Sequence, residues 1–407
     1  MSMVDRPPTL GRMSRTVSAW VTWHGELLGM EGPFAVDVPW WSEVEPVAAR
    51  LRSVLGVPVV VLRLLAVDGG EGARDGQVTY HVEALERPAR RPLPAPPEGA
   101  EALVEDHELR SPWARAEGVR ELIDWAARTL ASAGRPPTGP VEQRRTWNLA
   151  GLFRLPTARG PVWLKTTPHF AADEAAVIAG FARVDPGLVP RVLGADEGRM
   201  LMEQVPGVDC WAAPAETVVS GVSRFVAAQA AQPERAPGLR DGRGHLLAER
   251  VHALLDGPVA AELTSQEVFL ARELTDRYPL LEKCGLPDTV VHGDFHSGNW
   301  RSDGGPPVVL DFADAYWGNP VQDGLRLQEY LPEASRPVAA RAWAEAWRAH
   351  APGSDPERAL ALAGPLAQLG YAVRYQEFLD GIEPSEQVYH RGDPAAAIRA
   401  AVRVAAE

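Results

Sequence analysis

His292-Gly293-Asp294-Phe295-His296-Ser297-Gly298-Asn299, followed twelve residues later by Asp311-Phe312-Ala313-Asp314, is the stretch whose reading decides the fold. Between the two halves, Asn299-Trp300-Arg301 and Pro307-Val308-Val309-Leu310 flank Ser302-Asp303-Gly304-Gly305, an apolar-turn-apolar pattern that predicts a short β-hairpin. In such a hairpin the start of the first strand lies beside the end of the second, so Asn299 and Asp311 meet at its open end. An amide oxygen and a carboxylate are the hard ligands that Mg²⁺ prefers, with its remaining positions left to water and phosphate oxygens. Asp294 lies five residues before Asn299, on the loop entering the hairpin, where it can face a hydroxyl held beside such a metal. Residues of these types in this order are suited to phosphoryl transfer.

An upstream segment points the same way. Gly151-Leu152-Phe153-Arg154-Leu155 and Pro161-Val162-Trp163-Leu164-Lys165-Thr166 predict a second hairpin around Thr157-Ala158-Arg159-Gly160, and a period of two puts Trp163 and Lys165 on one face. Helical spacing resumes near Ala171, with Glu174, Val177, Ile178 and Phe181 on one stripe. A carboxylate on an apolar stripe needs a partner, and Lys165 is the nearest candidate. A strand lysine paired with a glutamate of the next helix is the arrangement that holds the α- and β-phosphates of ATP in kinases. Lysine occurs only at Lys165 and Lys283 in a chain rich in arginine, which suggests that a compact point charge is needed where lysine persists.

The pattern H-G-D-x-H-x-x-N…D-x-x-D resembles the aminoglycoside phosphotransferase and choline kinase family, and the resemblance runs from about Val141 to the C-terminus. It implies an α+β, bilobal protein-kinase-like fold, with a small β-rich lobe and a large helical lobe. It further implies ATP and Mg²⁺ as cofactors, Asp294 as the catalytic aspartate and Asn299 and Asp311 as metal ligands. By the same resemblance His292 is a scaffold of the catalytic loop, and Asp314 and Asp323 are structural carboxylates. The strand Met200–Glu203, running into Pro206-Gly207, corresponds to the hinge between lobes, which reads adenine through the carbonyl of Glu203 and the N–H of Val205. Thr146-Trp147-Asn148 takes the place of a glycine-rich phosphate loop, so Thr146 and Asn148 are expected at the nucleotide.

Composition narrows the remaining choices. The 407 residues carry a net charge of −13, which argues against nucleic-acid binding. No run approaches the roughly 20 apolar residues of a membrane span. Two cysteines, Cys210 and Cys284, without zinc-site spacing, and no leader-like start, lead us to expect a reducing cytoplasm. The predicted organisation is a polar tail (1–15), a small α+β domain of unassigned role (16–87), a proline-rich linker with a connecting helix (88–135), a kinase-like N-lobe (136–206) and a C-lobe (207–407). In the small domain, strands are expected at 17–21, 34–38, 57–65 and 78–85, and a helix at 43–55. The connecting helix is expected over Pro112–Ala133 with Ser111 as its N-cap.

No segment ending in A-P-E follows Asp311, so a peptide platform is not expected and a small hydroxyl compound is the expected partner. Carboxylates of the C-terminal helices, Glu329, Glu333, Glu377, Asp380, Glu383 and Glu386, admit two readings: acceptor groups for the ammonium of an amino sugar, aminoglycoside or other cationic alcohol, or a solvated acidic face. The alternative to a kinase is a nucleotide-binding module without catalysis; the joint presence of Lys165, Asp294, Asn299 and Asp311 argues against it.

Overall fold

The computed structural model describes residues 15–89, 93–95, 104–232, 234–236 and 238–407. The predicted tail, apart from Arg15, and part of the proline-rich linker lie outside these residues. Strands β1 (Arg15–Trp23) and β2 (Glu26–Val36) form a hairpin whose turn, His24-Gly25, has φ of 48° and 80°. The sequence reading reached only the end of β2, because Gly29, Gly32 and Pro33 interrupt any alternation there. Helix α1 (Glu45–Leu55) and strands β3 (Val59–Asp68) and β4 (Gln77–Ala84) complete the domain, in the sheet order β2-β1-β4-β3 with β1 parallel to β4. Val47, Leu51 and Leu55 give α1 a buried apolar face at helical spacing.

The connecting helix starts later than its sequence suggests. Ser111 precedes a 3-10 turn, Pro112–Ala114, without a side-chain cap bond; Arg115 is then extended at φ −118°, ψ 139°, and α2 runs over Ala116–Ser132. Val119, Leu122, Ala126 and Leu130 of α2 share one core with Val60 and Leu62 of β3 and with Phe153 and Leu164 of the next sheet. The helix thus joins the N-terminal domain to the lobe that follows.

That lobe holds β5 (Glu142–Trp147), β6 (Ala150–Leu155), β7 (Val162–Thr166), β8 (Val192–Asp196) and β9 (Arg199–Glu203), in the order β5-β6-β7-β9-β8. Helix α3 (Glu174–Val184) connects β7 to β8 and is capped by Asp173, which accepts from Ala176 N–H. The C-lobe is mainly helical: α4 (Ala215–Ala230), α5 (Gly244–Asp256), α6 (Ser265–Leu274), α7 (Tyr278–Glu282), α8 (Val321–Tyr330), α9 (Arg336–His350), α10 (Pro356–Gly381) and α11 (Asp393–Ala406). Short strands β10 (Val208–Asp209), β13 (Trp300–Ser302) and β14 (Val308–Val309) form one ribbon, and β11 (Arg240–Asp241), β15 (Tyr316–Gly318) and β12 (Thr289–Val291) form another. Among the described residues no helix is long and apolar enough to cross a membrane.

The N-terminal domain also docks on the far end of the C-lobe. Arg63 lies 3.3 Å from Glu383, Arg110 lies 3.1 Å from it, and Leu64 N–H points at Glu386 at 3.5 Å. Burial, reinforced by the charge of Glu383 against the pull of Arg63, pushes the Glu386 carboxyl up to about 8. A glutamate in the unfolded chain titrates near 4.5. Between these values the native protein keeps a proton that the unfolded chain has lost, so this group's contribution to stability falls as pH rises through the window. Glu386→Gln, which keeps an acceptor for Leu64, is therefore expected to flatten the decline of Tm with pH between about 5 and 8. A decline as steep as in the wild type would contradict the assignment.

Candidate active site

The segment 292–299 is built from backbone bonds to buried side chains. Asp323, at the start of α8, accepts from His292 N–H at 2.9 Å and Gly293 N–H at 3.0 Å, and from the Gln229 amide at 2.8 Å. Burial pushes its carboxyl up to about 7 despite these donors. The His292 ring accepts from Asp294 N–H through Nδ1 and faces Leu310 C=O through Nε2 at 3.0 Å. Burial lowers its pKa to about 4, so it is neutral at pH 7 with the proton on Nε2. Gly293 sits at φ 84°, where a Cβ would come within 2.5 Å of Asp314 C=O; a glycine is required at that crossing. His292 and Asp323 thus shape the loop, and Asp314 is held by Arg374 at 3.0 Å.

Asn299 ends a 3-10 turn and Asp311 follows β14; Leu310 N–H donates to Asn299 C=O at 2.8 Å, which places the two at the open end of the hairpin. Asp311 has φ 66°, a conformation that costs a non-glycine residue energy and is concentrated at functional sites. Lys165 Nζ lies 2.6 Å from Asp311 Oδ1 and 2.6 Å from Glu174 Oε1, so one buried ammonium serves two carboxylates. Burial disfavours its charge, but Asp311 and then Glu174 reverse the balance and its pKa is raised. The Glu174 carboxyl is pushed up by burial against the pull of Lys165, while Asp311 is lowered, since Lys165 outweighs burial there. Phe312 N–H donates to Glu174 Oε2 at 3.0 Å and completes the tie between α3 and the hairpin.

These residues open into a cleft of about 530 Å³ between the lobes, lined by Lys165, Asn299, Asp311, Met200, Met202 and the 203–205 segment. Glu203 uses its side chain on Arg135 and Arg191, and Val205 C=O accepts from Arg301 Nε at 3.2 Å. Arg301 also reaches Gly207 C=O and Asp209, fastening the interlobe segment to the 299–311 hairpin. Thr146 and Asn148 do not line the cleft, in contrast to their sequence-based assignment. Thr146 is 2% exposed with its hydroxyl toward Leu62 C=O, and Asn148 is fully buried. The N-terminal domain covers Thr146 through Ser42 and Leu62, a contact that no feature of the 146–148 motif announces.

Asp294 is 1% exposed and lies between two cavities rather than in either. Its Oδ1 accepts from Arg326 Nε at 2.8 Å, and its Oδ2 from Asn299 Nδ2 at 3.2 Å, with His296 Nε2 at 3.5 Å. Burial would raise its pKa, but Arg326 and then His296 hold it well below the ordinary carboxylate range. Arg326 is itself stacked over Tyr330 and Tyr371 at 4.5 and 5.2 Å and bonded to Glu329. The sequence assigns no role to Arg326 or to His296, although His296 is the second histidine of the motif. The available signal for Arg326 was its place three residues after Asp323, which puts both on the helix face that meets the 292–299 segment.

The predicted acceptor carboxylates are mostly engaged within the protein. Glu329 pairs with Arg326, Glu377 with Arg240 and Arg374, Glu383 with Arg63 and Arg110, and Asp380 accepts from Gln376. Arginines spread through the sequence converge on them in three dimensions, which a count of local acidic residues does not reveal. A second cavity, of about 330 Å³, is lined by His245, Glu282 and Asp288 and also by Gly293 and Asp314.

Among the described residues no group of three or more His, Cys, Asp and Glu side chains could hold a metal. The available donor set is one carboxylate, Asp311, beside one amide, Asn299, whose nitrogen is turned to Asp294 and whose oxygen is left for another ligand. Two hard protein oxygens facing a cleft fit Mg²⁺, which keeps several waters and binds through phosphate oxygens.

A five-stranded lobe, a helical lobe, and a strand lysine bridged to a helix glutamate define the protein-kinase-like class. Residues 152–362 match the model of the phosphotransferase enzyme family (APH), over half of the chain, and the protein belongs to that family. No curated protein matches the chain. Among solved structures, choline kinase LicA from Streptococcus pneumoniae is 11% identical, covers 70% of this chain and 99% of its own, and superposes with a TM-score of 0.52. A candidate fructosamine-3-kinase from Thermobifida fusca is 23% identical, covers 68% of this chain and 98% of its own, with a TM-score of 0.50. At these identities the likeness establishes the fold.

Proposed function

We propose that the protein transfers the γ-phosphate of ATP to a hydroxyl of a small molecule. The observation that carries this reading is the Lys165 ammonium held at 2.6 Å by both Glu174 and Asp311 in a cleft that Asn299 also lines. Lys165 would steady the α- and β-phosphates, and Asn299 and Asp311 would hold Mg²⁺, which supplies charge neutralisation to the phosphates when bound. Glu203 and Val205 would receive the adenine through their backbone. Asp294 would orient the acceptor hydroxyl and take its proton, with Asn299 and His296 fixing the carboxylate. Because Arg326 occupies Oδ1, the hydroxyl must displace that contact or approach Oδ2. A low pKa is no obstacle, since positioning outweighs basicity in a loose phosphoryl transition state.

For the acceptor, the second cavity favours a compact cationic alcohol: Arg240, Arg243 and Arg374 line it but pair with Glu377, Asp241 and Asp314, and Glu282 and Asp288 line it as well. Its volume is at the low end for ligand sites, and Tyr278, Tyr316, Tyr371 and Tyr375 wall it. Burial, with the charges of Asp241 and Glu282, holds the Asp288 carboxyl above its ordinary range against the pull of Arg243, an environment that an incoming ammonium would relieve. An amino sugar fits this description, as do aminoglycosides that insert a single ring. The other reading, nucleotide binding without transfer, draws on the closure of Asp294 by Arg326. Incubation of MgATP with amino sugars, aminoglycosides, choline and neutral sugars, followed by ADP release, separates the two. Stimulation by an amino alcohol supports transfer; tight ADP binding with no stimulated release favours the binding module.

A further inference from the structure

The family match begins at residue 152, after the whole N-terminal domain, so nothing in it accounts for residues 15–84. Besides their docking on 383–386, these residues make a second set of contacts with the stretch 143–149 that leads into the β5–β6 turn. Thr146 N–H donates to Ser42 C=O at 3.0 Å and Val44 N–H to Arg144 C=O at 3.3 Å. The Gln143 side chain accepts from Val61 N–H at 2.9 Å and donates to Val61 C=O at 2.7 Å, taking the role of a neighbouring strand. Glu43 pairs with Arg145 at 2.9 Å. From behind, the Trp113 indole N–H donates to Trp147 C=O at 2.9 Å, and its ring lies so close that a Cβ on Gly151 would meet it at 3.0 Å. The Trp147 ring lies 5.9 Å from that of Tyr389, which in turn is 5.6 Å from Trp41, joining the turn to both the N-terminal domain and the C-lobe.

This turn closes the sheet just beyond Lys165, since Leu152 faces Lys165 across the ladder and Gly151 faces Thr166. Ser42, Glu43, Trp147 and Leu149 line the same cleft as Lys165 and Asp311. We infer that the N-terminal domain, with Trp113, is a positioning part of the nucleotide site: it holds residues 143–149 as a preformed roof, so that nucleoside di- and triphosphates meet a fixed wall rather than a loop that must order around them. The inference rests on the nucleotide reading of the cleft. Ordering a loop at the moment of binding weakens affinity, and prior immobilisation removes that loss.

The test is calorimetric MgADP affinity together with amide exchange over 144–152, in the full chain. Trp113→Phe removes one anchoring N–H and keeps a ring; Glu43→Gln, on a partly exposed pair, is the milder second variant. Both are expected to speed exchange at the turn and to raise the MgADP Kd by roughly 3- to 10-fold, the scale of one hydrogen bond. A purely structural role would lower Tm and leave the Kd within twofold of wild type. That result in both variants, with or without faster exchange, overturns the inference. Wild-type protein that fails to bind MgADP overturns the nucleotide reading itself, and the inference with it.

Discussion

Asp294→Asn is expected to lower turnover with any acceptor by about three orders of magnitude, the scale of a positioned general base, while MgADP affinity changes by no more than about threefold. The carboxylate lines neither cavity, so its removal takes nothing from the nucleotide contacts. What is lost is an anionic oxygen beside Asn299 and His296 that can accept the hydroxyl proton. The asparagine also leaves the buried Arg326 facing a neutral partner, a stability cost that Tm will record. Steady-state ADP release, paired with calorimetry on the same sample, checks both halves. Equal losses of turnover and nucleotide affinity would move Asp294 from the chemistry to the binding site.

Lys165→Met is the second large effect and combines a binding loss with a folding loss. The Lys165 side chain is 10% exposed and its ammonium stands between two carboxylates, the Glu174 side chain being 4% exposed. Deleting it leaves Glu174 and Asp311 facing each other without a counter-charge, a break that costs about 3–5 kcal/mol in buried pairs. We expect Tm to fall by roughly 5 °C or more and MgADP binding to weaken by at least about tenfold. Adding Glu174→Gln to Lys165→Met should recover part of the Tm and none of the affinity, because the second change removes the stranded charge without restoring a phosphate partner. If affinity returned along with stability, the lysine would be a structural ion-pair member only. Thermal melts and titration with MgADP on the single and double variants decide this.

The hairpin that carries Asn299 and Asp311 was legible because its contacts are local. Asn299 and Asp311 meet through hairpin register, and Lys165 and Glu174 through the periods of one strand and one helix. The hairpin also reaches Lys165, since Asp311 closes on it. What stayed hidden depends on distant packing. Arg326 acts on Asp294 from a helix 32 residues away, and its charge gives no sign of where it points. The acidic residues of the C-terminal helices look free in sequence, yet arginines 63, 110, 240, 326 and 374 pair with Glu329, Glu377 and Glu383. Thr146 and Asn148 fall outside the cleft lining, and the surface that packs on Thr146 belongs to a domain with no readable motif of its own.

The most direct test of the account is transfer of label from γ-labelled ATP, with Mg²⁺, to the hydroxyl compounds named above, in wild type and Asp294→Asn. The account predicts label on a small-molecule product in the wild type, dependence on Mg²⁺, and near-complete loss in the variant. Label that appears only as inorganic phosphate, or a labelled product formed equally by Asp294→Asn, would contradict it.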